Sequence, residues 1–187
     1  MASEFWQDQS FEGESSLVKG EYDNCLFTNC DLTECDLSAF IFSECRFKNC
    51  NLSMCILEKT SFRDVKFFDC KMLGLRFDTC NEFSLVFSFE NCRLDHSSFY
   101  RCRIPSTIFK NSQLIEVDFT GADATNSVFD TCNLAGAAFE RTCLDGADFT
   151  TSVHYSINPE ANSIKKAMFS LVGLPGLLNK YDIKIDP

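Results

Sequence analysis

The side chains best suited to chemistry in this 187-residue chain are its twelve cysteines. Thiolates ligate metals, attack electrophiles and pair as disulfides, so their spacing has to be weighed first. Eleven of them fall on one phase: Cys25, Cys30, Cys35, Cys45, Cys50, Cys55, Cys70, Cys80, Cys92, Cys102 and Cys132. Only Cys143 is off it. An interval of five is not the C-x₂-C spacing that brings two sulfurs to one metal. A free cysteine packs as a small hydrophobe, and that is the role read here. His96 and His154 stand alone in the sequence and make no ligand pair. The chain has no G-x-S-x-G, P-loop, dinucleotide-binding glycine turn or H-E-x-x-H. The expectation is a protein that is not an enzyme, with no cofactor and no metal.

The phase that organises the cysteines organises everything else. A large apolar residue returns every five positions from Tyr22 through Phe27, Leu32, Leu37 and Phe42 to Phe77, and resumes from Phe89 through Leu94 and Phe99 to Phe149. Of the 20 phenylalanines, 13 lie on it. Neither a helix at period 3.6 nor a strand at period 2 gives this pattern; a short fixed repeat is the mark of a solenoid. In the second half Phe alternates with Leu or Ile, so like residues recur every ten positions. If four repeats make one turn, Phe occupies two opposite walls and aliphatic residues the other two, which fills a narrow square core without crowding.

The units Cys30-Asp31-Leu32, Cys50-Asn51-Leu52, Val117-Asp118-Phe119, Cys132-Asn133-Leu134 and Ala147-Asp148-Phe149 resemble the repeat of the pentapeptide-repeat family, over about residues 20–151. The resemblance implies an all-β fold, a right-handed quadrilateral parallel β-helix with one repeat per wall and four per coil. The central residue and the small residue two before it would point inward. Cys30, Cys50 and Cys70, twenty apart, would then stack up one wall. At about 4.8 Å per coil, roughly 130 residues make a rod of about 30 Å.

The phase slips once, at about 80–88, where Phe77 to Phe89 is twelve residues. The extra pair, within Asn81–Val86, is read as a bulge rather than a recognition loop. Residues 1–19 are read as an N-terminal cap, with Phe5, Trp6 and Phe11 as an apolar apron. Residues 152–187 are read as a short C-terminal α-helical cap. Asn158-Pro159-Glu160 has the chemistry of a helix start, and Ile164, Ala167 and Met168 would give that helix its apolar face. A second short helix would follow from Gly173, and Tyr181–Ile185 reads as a terminal strand. In the family such ends often pair two subunits, and 157–164 is similar to the cap of the microcin immunity member. Ile164, Leu171, Leu174, Leu177 and Leu178 are the expected cap and homodimer residues.

The net charge is −10, concentrated in residues 1–45 and 113–150. Between them Arg46, Lys48, Lys59, Arg63, Lys66, Lys71 and Arg76 form a basic band. Family members that inhibit or shield DNA gyrase are thought to act as acidic rods resembling duplex DNA. The resemblance therefore implies binding of DNA gyrase or topoisomerase IV, with protection against quinolones or gyrase toxins and no direct nucleic-acid binding. The acidic strip Glu116, Asp118, Asp123, Asp130, Asp145 and Asp148 is the candidate contact. The long loops of the quinolone-protecting members have no counterpart here. The alternative is a general protein–protein scaffold with an unrelated partner, using outward residues such as Met54, Ile56, Phe68 and Ile115. With no apolar run long enough for a membrane span and no signal-peptide pattern at the start, the expected location is cytoplasmic.

Overall fold

The computed structural model describes residues 4–83 and 85–185. It is a parallel β-solenoid whose ten strands join one sheet. Two walls are strand-rich. Wall A stacks β1 (Glu4–Gln7), β3 (Gly20–Asp23), β5 (Ile41–Ser43) and the first half of β7 (Ser61–Phe68). Wall B stacks β2 (Ser10–Glu12), β4 (Leu26–Thr28), β6 (Arg46–Lys48), the second half of β7, the end of β8 (Leu85–Glu90), whose start lies on wall A, β9 (Ile108–Lys110) and β10 (Val128–Asp130). Walls C and D are built from single parallel bridges, such as Asn51↔Lys71 on C and Ser98↔Asp118 on D. The twenty-residue register of Tyr22↔Phe42, Phe27↔Phe47 and Asp31↔Asn51 makes the coil four-sided.

The corners explain why the repeat is five residues long. The last residue of most repeats sits in the left-handed region, among them Asn24 (φ 49°), Asn29 (φ 55°), Lys59 (φ 58°) and Gly146 (φ 70°). Non-glycine residues resist this conformation by about 1–2 kcal/mol. The stacked coil offsets that cost, because the corner N–H donates to the next coil: Asn24 N–H to Ser43 O at 2.9 Å and Lys59 N–H to Thr79 O at 2.8 Å. The Asp or Asn before each centre accepts the N–H two residues on, as in Ser38 to Asp36 (2.9 Å) and Thr120 to Asp118 (2.8 Å). That local acceptor is what favours Asp and Asn at this position.

Inside, the centres form ring stacks at coil spacing. Wall B carries one unbroken column, with Phe27–Phe47 at 4.4 Å, Phe89–Phe109 at 5.2 Å and Phe129–Phe149 at 4.5 Å. The partner column changes walls. In the first coils it is wall A, with Trp6, Tyr22, Phe42 and Phe62; from Phe77 onward it is wall D, with Phe99, Phe119 and Phe139. The opposed B and D rings then meet edge-on, as in Phe99–Phe109 at 5.8 Å and 83°. Opposite aromatic walls in the second half follow the ten-residue alternation.

The phase slip is where the aromatic column crosses over. The register shifts between Phe62 and Val65, with Phe62 opposite Leu85 and Val65 opposite Phe87. Phe87, 5% exposed, touches Phe62, Phe77, Phe89 and Phe99. It thus joins the end of the wall A column to the start of the wall D column. The two extra residues are absorbed as a bulge, whose tip leaves Phe83 exposed; Ser84 lies outside the described residues.

Both ends differ from the sequence reading. The N-terminal segment is no apron: Trp6 and Phe11 are centres of a first half-coil, paired Trp6↔Tyr22 and Phe11↔Phe27. This coil is sixteen residues long, Trp6 to Tyr22, and on wall C Glu14 O accepts the Asp31 N–H at 2.9 Å. Phe5 points outward. At the other end no α-helix starts at Asn158, and the cap is not α-helical. Asn158 makes a turn, accepting the Glu160 N–H at 3.0 Å, and the repeat then resumes. Ser163 bridges Cys143 and Met168 bridges Asp148, which places Ile164 and Phe169 at the centres of a last half-coil on walls A and B. The bonding edge of the preceding coil outweighs helix-start chemistry. The remaining cap is two 3-10 turns, Leu174–Leu177 and Asn179–Tyr181. Residues 182–185 are exposed and form no strand, since Asp182 is left-handed and no strand pairs with them.

Candidate partner-binding surfaces

The cysteines are core. Nine are buried, and Cys35, Cys80 and Cys143 are half-buried. Cys30, Cys50, Cys70 and Cys92 stack up the corner between walls B and C. Their sulfhydryls donate to backbone carbonyls, as in Cys50 to Phe27 O at 3.5 Å and Cys92 to Phe67 O at 3.5 Å. Above Cys92 the same slot holds Ser112, Cys132 and Ser152. Burial pushes the Cys45, Cys55 and Cys102 thiols up to about 12 and Cys132 up to about 11. A raised folded-state value withholds the reactive thiolate at pH 8. A thiol reagent at that pH should therefore label at most the three half-buried cysteines within minutes, and all twelve in guanidinium. Rapid labelling of more than three in the native protein would overturn the packing assignment.

The acidic residues do not form one strip. Asp123 and Asp145 lie on wall A, Asp130 and Asp148 on wall B, Asp118 on wall D, and Glu116 at the C–D corner. Walls A and B are adjacent, so four of the six flank one edge of the rod. Several also hold corners together. The Thr125 and Thr150 hydroxyls donate to Asp123 and Asp148 at 2.6 and 2.7 Å, and Thr151 donates across coils to Asp130 at 2.9 Å. Asp145 accepts the Ser163 hydroxyl at 2.6 Å and the Lys165 N–H at 2.9 Å, bonds that hold its carboxyl below the usual carboxylate range. Glu116 faces His96 at 3.2 Å. His154 contacts Asn133 at 3.0 Å. The acids of residues 1–45 include a second group on wall A: Asp8, then Glu21 with Asp23, then Glu44 occupy three successive coils there.

The basic band wraps the rod. Arg46, Lys48 and Lys66 are exposed together on wall B, with Arg46 opposite Lys66. Lys71 lies on wall C, Arg63 on wall A and Lys59 at the D–A corner, while Arg76 on wall D is paired with Asp78 at 2.6 Å. The outward apolar residues form no common patch either. Met54 and Ile56 are exposed near wall D, whereas Phe68 on wall B and Ile115 on wall C are half-buried.

The cap residues do not share one helical face. Ile164 and Leu177 pack against the core, whereas Leu171 is 84% exposed and Leu174 and Leu178 are partly so. The cap is held by Ile157 N–H to Gly176 O at 3.0 Å and by Glu160, which pairs with Lys180 and accepts the Tyr181 hydroxyl. Among the described residues no helix is long and apolar enough to cross a membrane.

No curated protein matches the chain. Among solved structures, two trypsin-treated variants of QnrB1, a plasmid-mediated fluoroquinolone resistance protein, share the fold. One is 17% identical with a TM-score of 0.65, covering 98% of this chain and 100% of that one. The other is 15% identical with a TM-score of 0.64, covering both chains fully. The family model described as pentapeptide repeats (8 copies) matches residues 25–64, 45–81 and 112–150, together more than half the sequence. With the four-walled coil and its five-residue register, this places the chain in the pentapeptide repeat family.

Proposed function

We propose that this protein is a non-enzymatic binding rod that engages DNA gyrase or topoisomerase IV and protects it from quinolones or gyrase-directed toxins. The observation that carries the reading is the run of fixed carboxylates along the A–B edge, on a fold that matches QnrB1 end to end. Side chains pinned by corner hydrogen bonds present their charges at fixed positions. DNA carries one charge per about 1.7 Å of axis, so the rod is the sparser polyanion. A basic saddle would draw it in by its net charge of −10. No metal, cofactor or catalytic group takes part, and the site of action is the cytoplasm.

Purified gyrase immobilised on a sensor should capture the protein, and duplex DNA should displace it. Capture indifferent to excess DNA would remove the mimicry. The exposed Arg46, Lys48 and Lys66 on wall B favour a second reading, a scaffold for an unrelated acidic partner; failure to bind gyrase at all would leave that one standing.

A further inference from the structure

We infer that the two ends of the rod fit each other, so that copies of this chain stack head to tail along a common axis. Both ends stop at half a coil, and it is the same half. At the start, β1 and β2 are the outermost strands of walls A and B and pair on one side only, with β3 and β4. At the finish, Ser163 and Met168 bridge inward to Cys143 and Asp148. Beyond them the N–H groups of Ile164, Lys166 and Phe169 have no acceptor among the described residues. One coil earlier, the equivalent groups of Leu144, Gly146 and Phe149 donate to Ser163, Lys165 and Met168 carbonyls at 2.7–2.8 Å. In a second copy the carbonyls of Phe5, Gln7 and Ser10 occupy the matching places. The two centres are five apart at each end, Ile164 and Phe169 against Trp6 and Phe11. Trp6 and Phe11 would therefore continue the columns ending at Ile164 and Phe169.

The charges agree with this register. Lys166 and Asp8 both occupy the left-handed corner between walls A and B, at φ 60° and φ 54°. Residues at this corner already bond between coils, as Asn24 Nδ2 does to Asp8 Oδ1 at 2.7 Å. Lys165 and Lys166 at the finish would thus meet an end carrying Asp8, Glu12 and Glu14, all exposed. On the half that lacks complete coils, exposed Leu171 and Val172 would face Leu17 and Val18. A two-fold pairing of C-terminal ends instead sets lysines against lysines. The head-to-tail contact is heterologous and does not close, so growth would be limited by concentration rather than stopping at two.

Light scattering across a concentration series tests this. The protein should pass twice its monomer mass as concentration rises and should fall back in high salt, which screens the end charges. Lys166→Glu and Asp8→Lys should each stay monomeric, with an unchanged thermal midpoint as evidence of folding. Mixing the two variants in equal amounts should restore growth, because each then offers the other a complementary end. A mass that stays monomeric at every concentration would overturn the inference. So would one that stops at two and survives either substitution, or a mixture that stays inert.

Discussion

Replacing Phe119 with alanine should remove about 3–5 kcal/mol of stability, the usual cost of deleting a fully buried ring. Phe119 is 0% exposed. It stacks on Phe99 at 5.3 Å and Phe139 at 5.0 Å and meets Phe109 and Phe129 edge-on at 6.0 and 5.7 Å. The void would sit on wall D between the stacked rings of Phe99 and Phe139. A domain's whole stability is about 5–15 kcal/mol, so the loss is a large fraction of the total. Because each coil contacts only its neighbours, protease cleavage in the native state should rise first around residues 95–145. Denaturant melts give the magnitude. A loss below about 1 kcal/mol would mean that the columns do not carry the fold.

The opposite change, Ala124→Phe, should also destabilise, by about 1–3 kcal/mol. Wall A accepts large rings at Tyr22 and Phe42, so residue type alone would suggest tolerance. The difference lies across the core. In those first two coils walls C and D hold leucines, Leu32, Leu37, Leu52 and Leu57. At Ala124 the rings of walls B and D already meet, with Phe119–Phe129 edge-on at 88°. A third ring in that layer has no volume to occupy, since protein interiors are already close-packed. An unchanged melting midpoint would show that the aromatic crossover at Phe87 is incidental.

The four walls, the inward centres and the buried thiols were legible in the sequence, because packing repeats with the coil and the coil repeats with the residues. Ile164 and Phe169 were legible too, fifteen and twenty positions after Phe149 on the same phase. They were hidden by Asn158-Pro159-Glu160, which starts helices elsewhere but here makes one corner turn. Trp6 and Phe11 keep the five-residue step but sit on another phase, since the first coil is shorter. The acidic surface was the least legible. Neighbours in sequence lie on successive walls, so a run of acids wraps round the rod instead of lining it. The Asp before a centre is also selected by its corner hydrogen bond, as at Asp118 and Asp123, independently of any partner.

That dual role decides how the function is best tested. Reversing Asp118 and Asp123 to Lys would disturb corners as well as charge. Asparagine keeps the acceptor, as Asn133 does for the Ala135 N–H at 3.2 Å. The most direct measurement is therefore gyrase supercoiling with and without a quinolone, titrated with the wild-type protein and with a variant carrying Asn at 123, 130, 145 and 148. Inhibition or drug rescue is expected at micromolar wild-type protein or below, with its loss in the equally stable variant. No effect of the well-folded wild-type protein in either arm would contradict the gyrase reading, and an undiminished effect of the variant would contradict the acidic edge.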